Sequence, residues 1–291
     1  MPQLSVIIPS KNQGKFIPEL INAFKKQSFQ NFELIVIDSF SNDNSADLFR
    51  EYNKVNFFSY NSSAADACIY GLKKAKGKYI MFGTTSDFIY SDKWLENAIN
   101  KLNSDTNISL VWGSAVNINE VGLITRIWGH NFLKKKPPTY YSYLPYWFFN
   151  HYLPELNYVT LKKVFLKCRK NSKQFPLDWA HLFMLNFTKN GFLNEYIPDL
   201  AHAGRAHENS LTIKNKLSDF LQLVKLKLFQ FIYLFQIFFG FKKHTFRDQN
   251  GNKLKKLDTF DVFFLPFKIF FVYVRELPKY FLKKLTNFWG V

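Results

Sequence analysis

A single carboxylate follows a short β-prone run within residues 77–87, GKYIMFGTTSD. The run YIMF (79–82) predicts a strand, and Asp87 is the one acid in the loop that follows it. A cluster of acids at such a strand end is typical of a site for a metal ion or a phosphate group. With one acid, two interpretations are open: a metal site that has lost acids, or an ordinary strand end.

Small polar residues also follow the other predicted strands. Apolar runs alternate with amphipathic segments, which predicts an α/β fold built on a parallel sheet. Such sheets bind ligands beyond the carboxyl ends of their strands. The predicted strands are residues 4–10, 32–38, 55–60 and 78–82, the predicted helices are 15–27, 45–52, 64–75 and 92–102, and 108–129 predicts a hairpin. The polar groups that follow strands, which we expect to form one constellation, are residues 9–12, 38–43, 61–66 and 84–87.

Composition restricts the class of partner. The chain of 291 residues carries a net charge of +17 and 34 phenylalanines. Excess Lys and Arg indicate an anionic partner, and the phenylalanines favour a membrane surface over nucleic acid, for which the sequence shows no binding motif. Cys68 and Cys168 lack metal-site spacing and are predicted to be reduced, buried thiols of a cytosolic protein. The start, MPQLSVIIPS, lacks the basic leader and long apolar core of a signal peptide.

The last part of the chain combines aromatic and aliphatic runs with lysines. Residues 220–244 and 260–291 are rich in Phe, Leu and Ile, but Lys, Gln and Pro266 interrupt them. These runs are too interrupted to predict a helix that spans a membrane, which needs about 20 apolar residues. They are typical of basic amphipathic helices that lie in the membrane interface. The alternatives are a spanning segment, or a helical subdomain packed on the catalytic domain or on a second copy in a homo-oligomer.

Five segments together resemble a known family. LSVIIPSKNQGKFI followed by FELIVIDSFSNDNSADLF resembles the opening of family 2, GT-A-fold glycosyltransferases, whose second strand ends in Asp-Asp/Ser-Gly-Ser-x-Asp-x-Ser/Thr. AADACIYGLKKAKGKYIMFGTTSD, FPLDWAHLFMLNFTKNG and AGRAHENSLT resemble three later segments in the same order. The resemblance covers about residues 3–212. It implies a GT-A catalytic domain over 1–212. The apolar and basic composition of the remaining residues, 213–291, predicts an amphipathic, helical, membrane-associating region.

The resemblance implies a role for each polar group. The nucleotide of a nucleotide-sugar donor, most commonly a UDP-sugar, is expected to contact Pro9, Ser10, Asn12, Asp38, Ser39, Asp66, Thr85 and Ser86. Asp178, at the head of a predicted helix, is expected to be the base that takes a proton from the acceptor hydroxyl. Simpler interpretations remain open beside these: Asp38 as a turn cap, Asp66 as an acid in a helix N-terminal turn, and Asp178 as a helix N-cap.

The resemblance also implies a divalent cation. The family usually has an acid-x-acid loop after this strand, where the chain has Thr84-Thr85-Ser86-Asp87. Mn²⁺ or Mg²⁺ is expected on Asp87 and His207 together with diphosphate oxygens, and Arg205 is expected to add positive charge at the diphosphate. The alternatives are an enzyme that needs no metal, with Lys or Arg at the phosphates, and an inactive relative.

These features predict an inverting glycosyltransferase of bacterial surface-glycan assembly. The sugar is expected to pass from the donor to a lipid-linked saccharide, by a protein bound peripherally to anionic lipids at the cytoplasmic face of the inner membrane. The alternative is a non-catalytic glycosyltransferase-like subunit that binds nucleotide sugar or scaffolds a membrane complex. A nucleic-acid-binding protein is not expected.

Overall fold

The computed structural model describes residues 1–128, 157–169, 179–205, 228–229, 232–233, 235–237, 239 and 241–256. Every structural statement below concerns these residues. The predicted α/β fold is confirmed: a large mixed sheet carries helices along the chain's N-terminal part.

The first half alternates strands and helices as the sequence predicts, except for the two-residue strand β5 (Phe88–Ile89), which was not predicted. In α1, Ile17, Leu20, Ile21 and Phe24 are buried, because their spacing places them on one face of the helix. The elements are β1 (Leu4–Ser10), a 3-10 turn (Gly14–Phe16), α1 (Ile17–Lys25), β2 (Phe32–Asp38), α2 (Ser45–Arg50), β3 (Val55–Ser59), α3 (Ala64–Lys74), β4 (Tyr79–Phe82), β5 (Phe88–Ile89) and α4 (Trp94–Ser104).

The second half adds longer strands. The predicted hairpin is confirmed, since β6 and β7 pair antiparallel around a turn in which Gly122 has φ of 87°. The elements are β6 (Ile108–Ile118), β7 (Ile124–Trp128), β8 (Tyr158–Leu161), α5 (Lys162–Cys168), α6 (Trp179–Lys189), β9 (Leu193–Arg205), β10 (Thr245–Arg247) and β11 (Lys253–Lys256).

The strand order places the ends of β2, β1 and β4 side by side. The main sheet runs β3-β2-β1-β4-β8-β6-β9-β5, with β7 paired to β6. The four strands from β3 to β4 are parallel, β8 is antiparallel to both neighbours, and β9 is parallel to β6. The register pairs Ser10 with Asp38 at the carboxyl ends of β1 and β2. Polar residues after these strands therefore meet at one edge.

The parallel strands are buried on both faces. Val6, Ile7, Ile8, Leu34, Ile35, Val36 and Ile37 are all inaccessible to solvent, as expected of strands covered by helices. The helix α3 packs so closely on β1 that a Cβ on Gly71 would lie 2.5 Å from Cγ2 of Ile7. Cys68 and Cys168 are free and buried, as predicted.

A small hairpin, β10–β11, lies between the two segments that were predicted as interfacial helices. Its Arg247 amide donates to the carbonyl of Gly191 at 2.8 Å, and Nε2 of Gln249 donates to the carbonyl of Leu102 at 2.8 Å. Gly191 has φ of 79°, and a Cβ there would lie 1.9 Å from the Thr245 carbonyl oxygen, so only glycine fits. The hairpin thus docks onto the predicted catalytic domain. No helix within the described residues has the length and apolarity to cross a membrane.

Candidate active site

Residues from three strand ends contact one another at the carboxyl edge of the parallel sheet. The amide of Ser39 donates to the carbonyl of Ser10 at 2.9 Å, and Oγ1 of Thr85 donates to the carbonyl of Pro9 at 3.4 Å. Ser10, Asp38, Ser39 and Thr85 are all buried at this edge. The structure therefore brings together the groups predicted after β1, β2 and β4.

Asp38 holds the loop that follows β2. Its Oδ2 accepts the Ser41 amide at 2.8 Å and its Oδ1 accepts the Ser41 hydroxyl at 2.5 Å. The same hydroxyl accepts the Asn12 amide at 2.8 Å, and Oδ1 of Asn12 accepts the Asn42 amide at 2.9 Å. The turn-capping interpretation of Asp38 is confirmed, and its contact with a nucleotide stays a prediction.

A second carboxylate joins the same two loops. Asp43 accepts the Gly14 amide at 2.9 Å and the Ser45 amide at 3.1 Å, while the Gln13 amide donates to the Ser45 hydroxyl. Burial acts to raise the pKa of Asp43, but the hydrogen bonds from Ser45 and Gly14 outweigh it and hold this pKa below its ordinary value. The loops after β1 and β2 are thus fastened to each other by charged acceptors.

Asp66 lies in the first turn of α3. It is exposed, and Ser63 caps the helix by accepting the Asp66 amide at 3.2 Å while donating to its carboxylate at 2.8 Å. The interpretation of Asp66 as a helix-terminal acid is confirmed. The Ser39 hydroxyl donates to the Ser62 carbonyl at 3.0 Å, which ties this segment to the end of β2. A nucleoside contact for Asp66 stays a prediction.

Asp87 links the loop after β4 to the end of β9. Its Oδ2 lies 3.0 Å from Nε2 of His202, and its Oδ1 accepts the Arg205 amide at 3.0 Å and the Ser86 hydroxyl at 3.3 Å. Burial acts to raise the pKa of Asp87, but the hydrogen bond and charge of His202, with the Arg205 amide, outweigh burial and lower this pKa. His202 was not predicted from the sequence. It lies beside Asp87 because its strand, β9, pairs with β5, the strand that follows Asp87.

The guanidinium group of Arg205 is engaged by protein acceptors. It donates to the carbonyls of Asn119 at 3.1 Å and Glu120 at 2.7 Å, and it forms an ion pair with Glu19. The group also lies 5.4 Å from the ring centroid of Phe16. Arg205 therefore joins β9, the β6–β7 turn and α1. Its predicted contact with a diphosphate stays a prediction.

The described residues do not by themselves form a cage for a cation. Both oxygens of Asp87 already accept hydrogen bonds, and Thr84 and Ser86 stand where the family pattern has acids. Among the ranges described, no three His, Cys, Asp or Glu side chains are grouped so as to hold a metal ion. An ion whose ligands come mainly from a bound diphosphate and water would fit this loop, and the contact of Asp87 with it stays a prediction.

Two predicted residues, Asp178 and His207, lie outside the described residues. The helix expected after Asp178 is present, since α6 begins at Trp179. The role of each residue stays a prediction.

A model of the family described as glycosyl transferase family 2 matches residues 5–159. The chain is 38% identical over 106 residues to an uncharacterized glycosyltransferase of Haemophilus influenzae, covering 34% of this chain and 42% of the relative. It is 32% identical over 106 residues to the putative teichuronic acid biosynthesis glycosyltransferase TuaG of Bacillus subtilis, covering 34% of this chain and 40% of TuaG. The matched part thus spans about two fifths of each of these two relatives.

Several solved structures share the fold, and two of them illustrate the similarity. One is S. aureus TarS 1-349 in complex with UDP-GlcNAc, at a TM-score of 0.60 and 19% identity over 79% of this chain and 66% of that chain. The other is the mannosyltransferase PcManGT from Pyrobaculum calidifontis in complex with GDP-Man and Mn²⁺, at a TM-score of 0.55 and 14% identity over 73% of this chain and 59% of that chain. The predicted GT-A fold is confirmed by these neighbours.

Proposed function

The chain belongs to glycosyl transferase family 2, and we propose that it moves a sugar from a nucleoside-diphosphate donor to an acceptor hydroxyl. The observation that carries this proposal is the meeting of Ser10, Asp38 and Thr85 at the carboxyl ends of adjacent parallel strands. Open α/β sheets bind nucleotides at this place. The loops there are fastened by Asp38 and Asp43, which suits a site that must be preorganised.

The proposed donor is a UDP-sugar. TarS, one of the structural neighbours, has been crystallised with UDP and with UDP-GlcNAc, whereas PcManGT was crystallised with GDP-Man. In the proposal the nucleoside lies over the ends of β1 and β2, against Pro9, Ser10 and Asn12, with Asp66 on the opposite side. The oxygens of Asp38 that hold Ser41 keep lone pairs for a base or ribose donor. Ser39, Thr85 and Ser86 line the same edge.

The proposed transfer is a single displacement with inversion. The acceptor oxygen attacks the anomeric carbon, its proton passes to the carboxylate of Asp178, and the bond to the nucleoside diphosphate breaks, leaving that group with the bonding electrons. Arg205 and His207 are proposed to face the departing diphosphate. The hydrogen bond from the Arg205 amide to Asp87 is consistent with this arrangement, because Arg205 precedes His207 by two residues in the chain.

The predicted Mn²⁺ or Mg²⁺ is part of the proposal as an ion that arrives with the donor. Asp87 would be its contact on the protein, with His207 as the second predicted ligand. When bound, such an ion offsets the negative charge that the diphosphate gains on departure.

The proposed acceptor is a lipid-linked saccharide of a bacterial surface glycan. Leu228, Ile232, Phe235 and Phe239 recur at helical spacing and are between 42% and 55% exposed. Tyr233, between them, is buried beneath the ammonium groups of Lys189 and Lys242. Exposed apolar residues beside lysines suit the interface of an anionic membrane, so we propose peripheral attachment at its cytoplasmic face. The alternative is that a second copy covers this surface in a homo-oligomer.

A second candidate function is a non-catalytic subunit that binds nucleotide sugar or scaffolds a membrane complex. The observation that favours it is the loop at Thr84 and Ser86, where the family pattern has acids. Both candidates bind nucleotide, and only the first transfers sugar. Sugar release from a UDP-sugar that depends on Asp178 would therefore exclude the second.

Titration calorimetry with UDP and with GDP tests the proposed function. We expect UDP to bind with a Kd in the micromolar range and Asp38→Asn to weaken it on the order of tenfold, because that change removes charge from the loop clamp. Asp47→Asn is the matched control, since this carboxylate is 82% exposed on α2, where it lies 3.7 Å from the guanidinium group of Arg50. Absence of binding to both nucleotides would overturn the proposal.

A further inference from the structure

Phe40 occupies a backbone conformation that phenylalanine rarely adopts. It has φ of 53°, in the left-handed region that favours glycine, and its side chain is 64% exposed. It lies two residues after Asp38 at the carboxyl end of β2, where the family pattern has glycine. Neither burial nor backbone preference accounts for an aromatic residue at this position.

The strained conformation is held from both sides. The carboxylate of Asp38 accepts hydrogen bonds from the amide and the hydroxyl of Ser41, and these bonds close a turn that contains Phe40. On the other side, the Ser39 amide donates to the Ser10 carbonyl at 2.9 Å and its hydroxyl donates to the Ser62 carbonyl at 3.0 Å. Backbone strain that neighbouring contacts over-determine in this way is typical of ligand sites.

A second exposed aromatic residue stands at the neighbouring strand end. The Tyr60 amide donates to the carbonyl of Asp38 at 2.9 Å, and its ring stacks on Tyr70 with centroids 4.7 Å apart and planes inclined by 15°. Tyr60 is 41% exposed. The polar edge proposed for the nucleoside is thus bordered by flat apolar surfaces, which aromatic heterocycles bind by stacking.

We propose that Phe40 stacks on the nucleobase of the donor and determines part of the affinity for it. This inference rests on the proposed function, since it names the contact of the same site with the base. The backbone strain and the exposed ring then have one explanation: the turn presents a side chain that the folded protein does not bury.

Two substitutions separate the ring from the strain. Phe40→Ala removes the ring and keeps a residue with a Cβ at positive φ, whereas Phe40→Gly removes the ring and relieves the strain. We expect both to raise the Kd for UDP on the order of tenfold, the size expected for a lost base–aromatic stack. We expect Phe40→Gly to unfold at a higher temperature than Phe40→Ala, and Phe40→Trp to retain UDP binding.

Inorganic diphosphate, which has no base, serves as the control ligand. Phe241→Ala serves as the control variant, because that phenylalanine is 77% exposed in the segment before β10. The inference requires that the Phe40 variants bind diphosphate with unchanged affinity and that Phe241→Ala binds UDP with unchanged affinity. Unchanged UDP affinity in Phe40→Ala and Phe40→Gly would overturn it while leaving the proposed function intact. Equal losses for UDP and diphosphate would also overturn it, because the loop and not the base contact would then be affected. Absence of nucleotide binding by the unmodified protein would overturn both.

Discussion

Nε2 of His202 and Oδ2 of Asp87 lie 3.0 Å apart, and both side chains are largely buried. The contact joins the loop after β4 to the last residues of β9, which are 115 positions further along the chain. The one acid left in the family's acidic loop therefore first serves to hold two segments of the site together.

Replacement of Asp87 tests this role. Asp87→Ala leaves the His202 side chain and the Arg205 amide without their acceptor, so we expect a loss of about 2–3 kcal/mol in the free energy of unfolding. Asp87→Asn keeps one oxygen and is expected to lose less. Urea unfolding followed by circular dichroism measures both, with exposed Asp47→Ala as the control. A loss below about 0.5 kcal/mol for Asp87→Ala would contradict the role.

Variants of Arg205 and Glu19 distinguish a structural role of Arg205 from a role at the diphosphate. Arg205→Lys cannot reproduce the fork that meets Glu19 and two carbonyls, and we expect it to cost about 2 kcal/mol in the free energy of unfolding. Glu19→Gln is expected to cost less than about 1 kcal/mol, because Glu19 is half exposed. Under conditions where both variants are folded, the proposed diphosphate contact predicts weaker UDP binding in Arg205→Lys alone. Equal UDP binding in the two would restrict Arg205 to its structural role.

Acid should weaken the docking of the β10–β11 hairpin through His244. Burial, with the charge of Lys242, lowers the pKa of His244 to about 4, and its Nδ1 lies 2.7 Å from the Tyr233 hydroxyl. In the unfolded chain His244 binds its proton at a pH near 6.5. Its contribution to the free energy of unfolding is therefore fully present above pH 6.5 and is lost as the pH falls from 6.5 towards 4.

The loss should approach about 3 kcal/mol for the whole interval. Urea unfolding at pH 7 and pH 4.5 measures it, and His244→Gln should remove most of the difference between the two pH values. An undiminished difference in that variant would assign the pH dependence to other groups.

Cation dependence tests the reduced acidic loop. We expect EDTA to weaken UDP binding on the order of tenfold relative to Mn²⁺, because the ion is held by the diphosphate and Asp87 together. Ser86→Asp, which restores an acid of the family pattern, should strengthen binding of UDP with Mn²⁺ but not of UDP in EDTA. Calorimetry in the two buffers gives both values. UDP affinity that is the same with Mn²⁺ and with EDTA would support the metal-independent alternative.

Membrane attachment can be measured with vesicles. The full chain is expected to sediment with vesicles of phosphatidylcholine containing anionic phosphatidylglycerol, less so at high salt, and weakly with phosphatidylcholine alone. The double variant Leu228→Ser, Ile232→Ser should lower binding on the order of tenfold, since both side chains then leave the apolar interface. Leu166→Ser is the control, because this leucine is 48% exposed on α5. Equal vesicle binding by both would place the membrane contact elsewhere.

Local sequence pattern was sufficient to predict the four parallel strands and the four α-helices of the first half of the chain, but not the short strand β5. The features that made this prediction possible depend on residues that are close in sequence. They are the helical spacing of apolar residues in α1, the apolar runs of β1 and β2, and the polar residues after each strand. Because parallel strands bring their carboxyl ends to one edge, the place of the candidate site could be predicted from the same pattern. The role of Asp38 as a turn cap was likewise within reach, since its partner Ser41 is three residues away.

The sequence by itself therefore determined the α/β class, the family resemblance and the edge at which the polar residues gather. The tertiary structure alone decided that Asp87 meets His202, that Arg205 meets Glu19 and the β6–β7 turn, and that Phe40 has a positive φ. The physical reason is separation along the chain: these contacts join segments that only the finished sheet brings together, and the backbone angle of Phe40 is set by hydrogen bonds on both sides of it. Residue types and spacing record which groups are present, but not which partners the packed fold assigns to them.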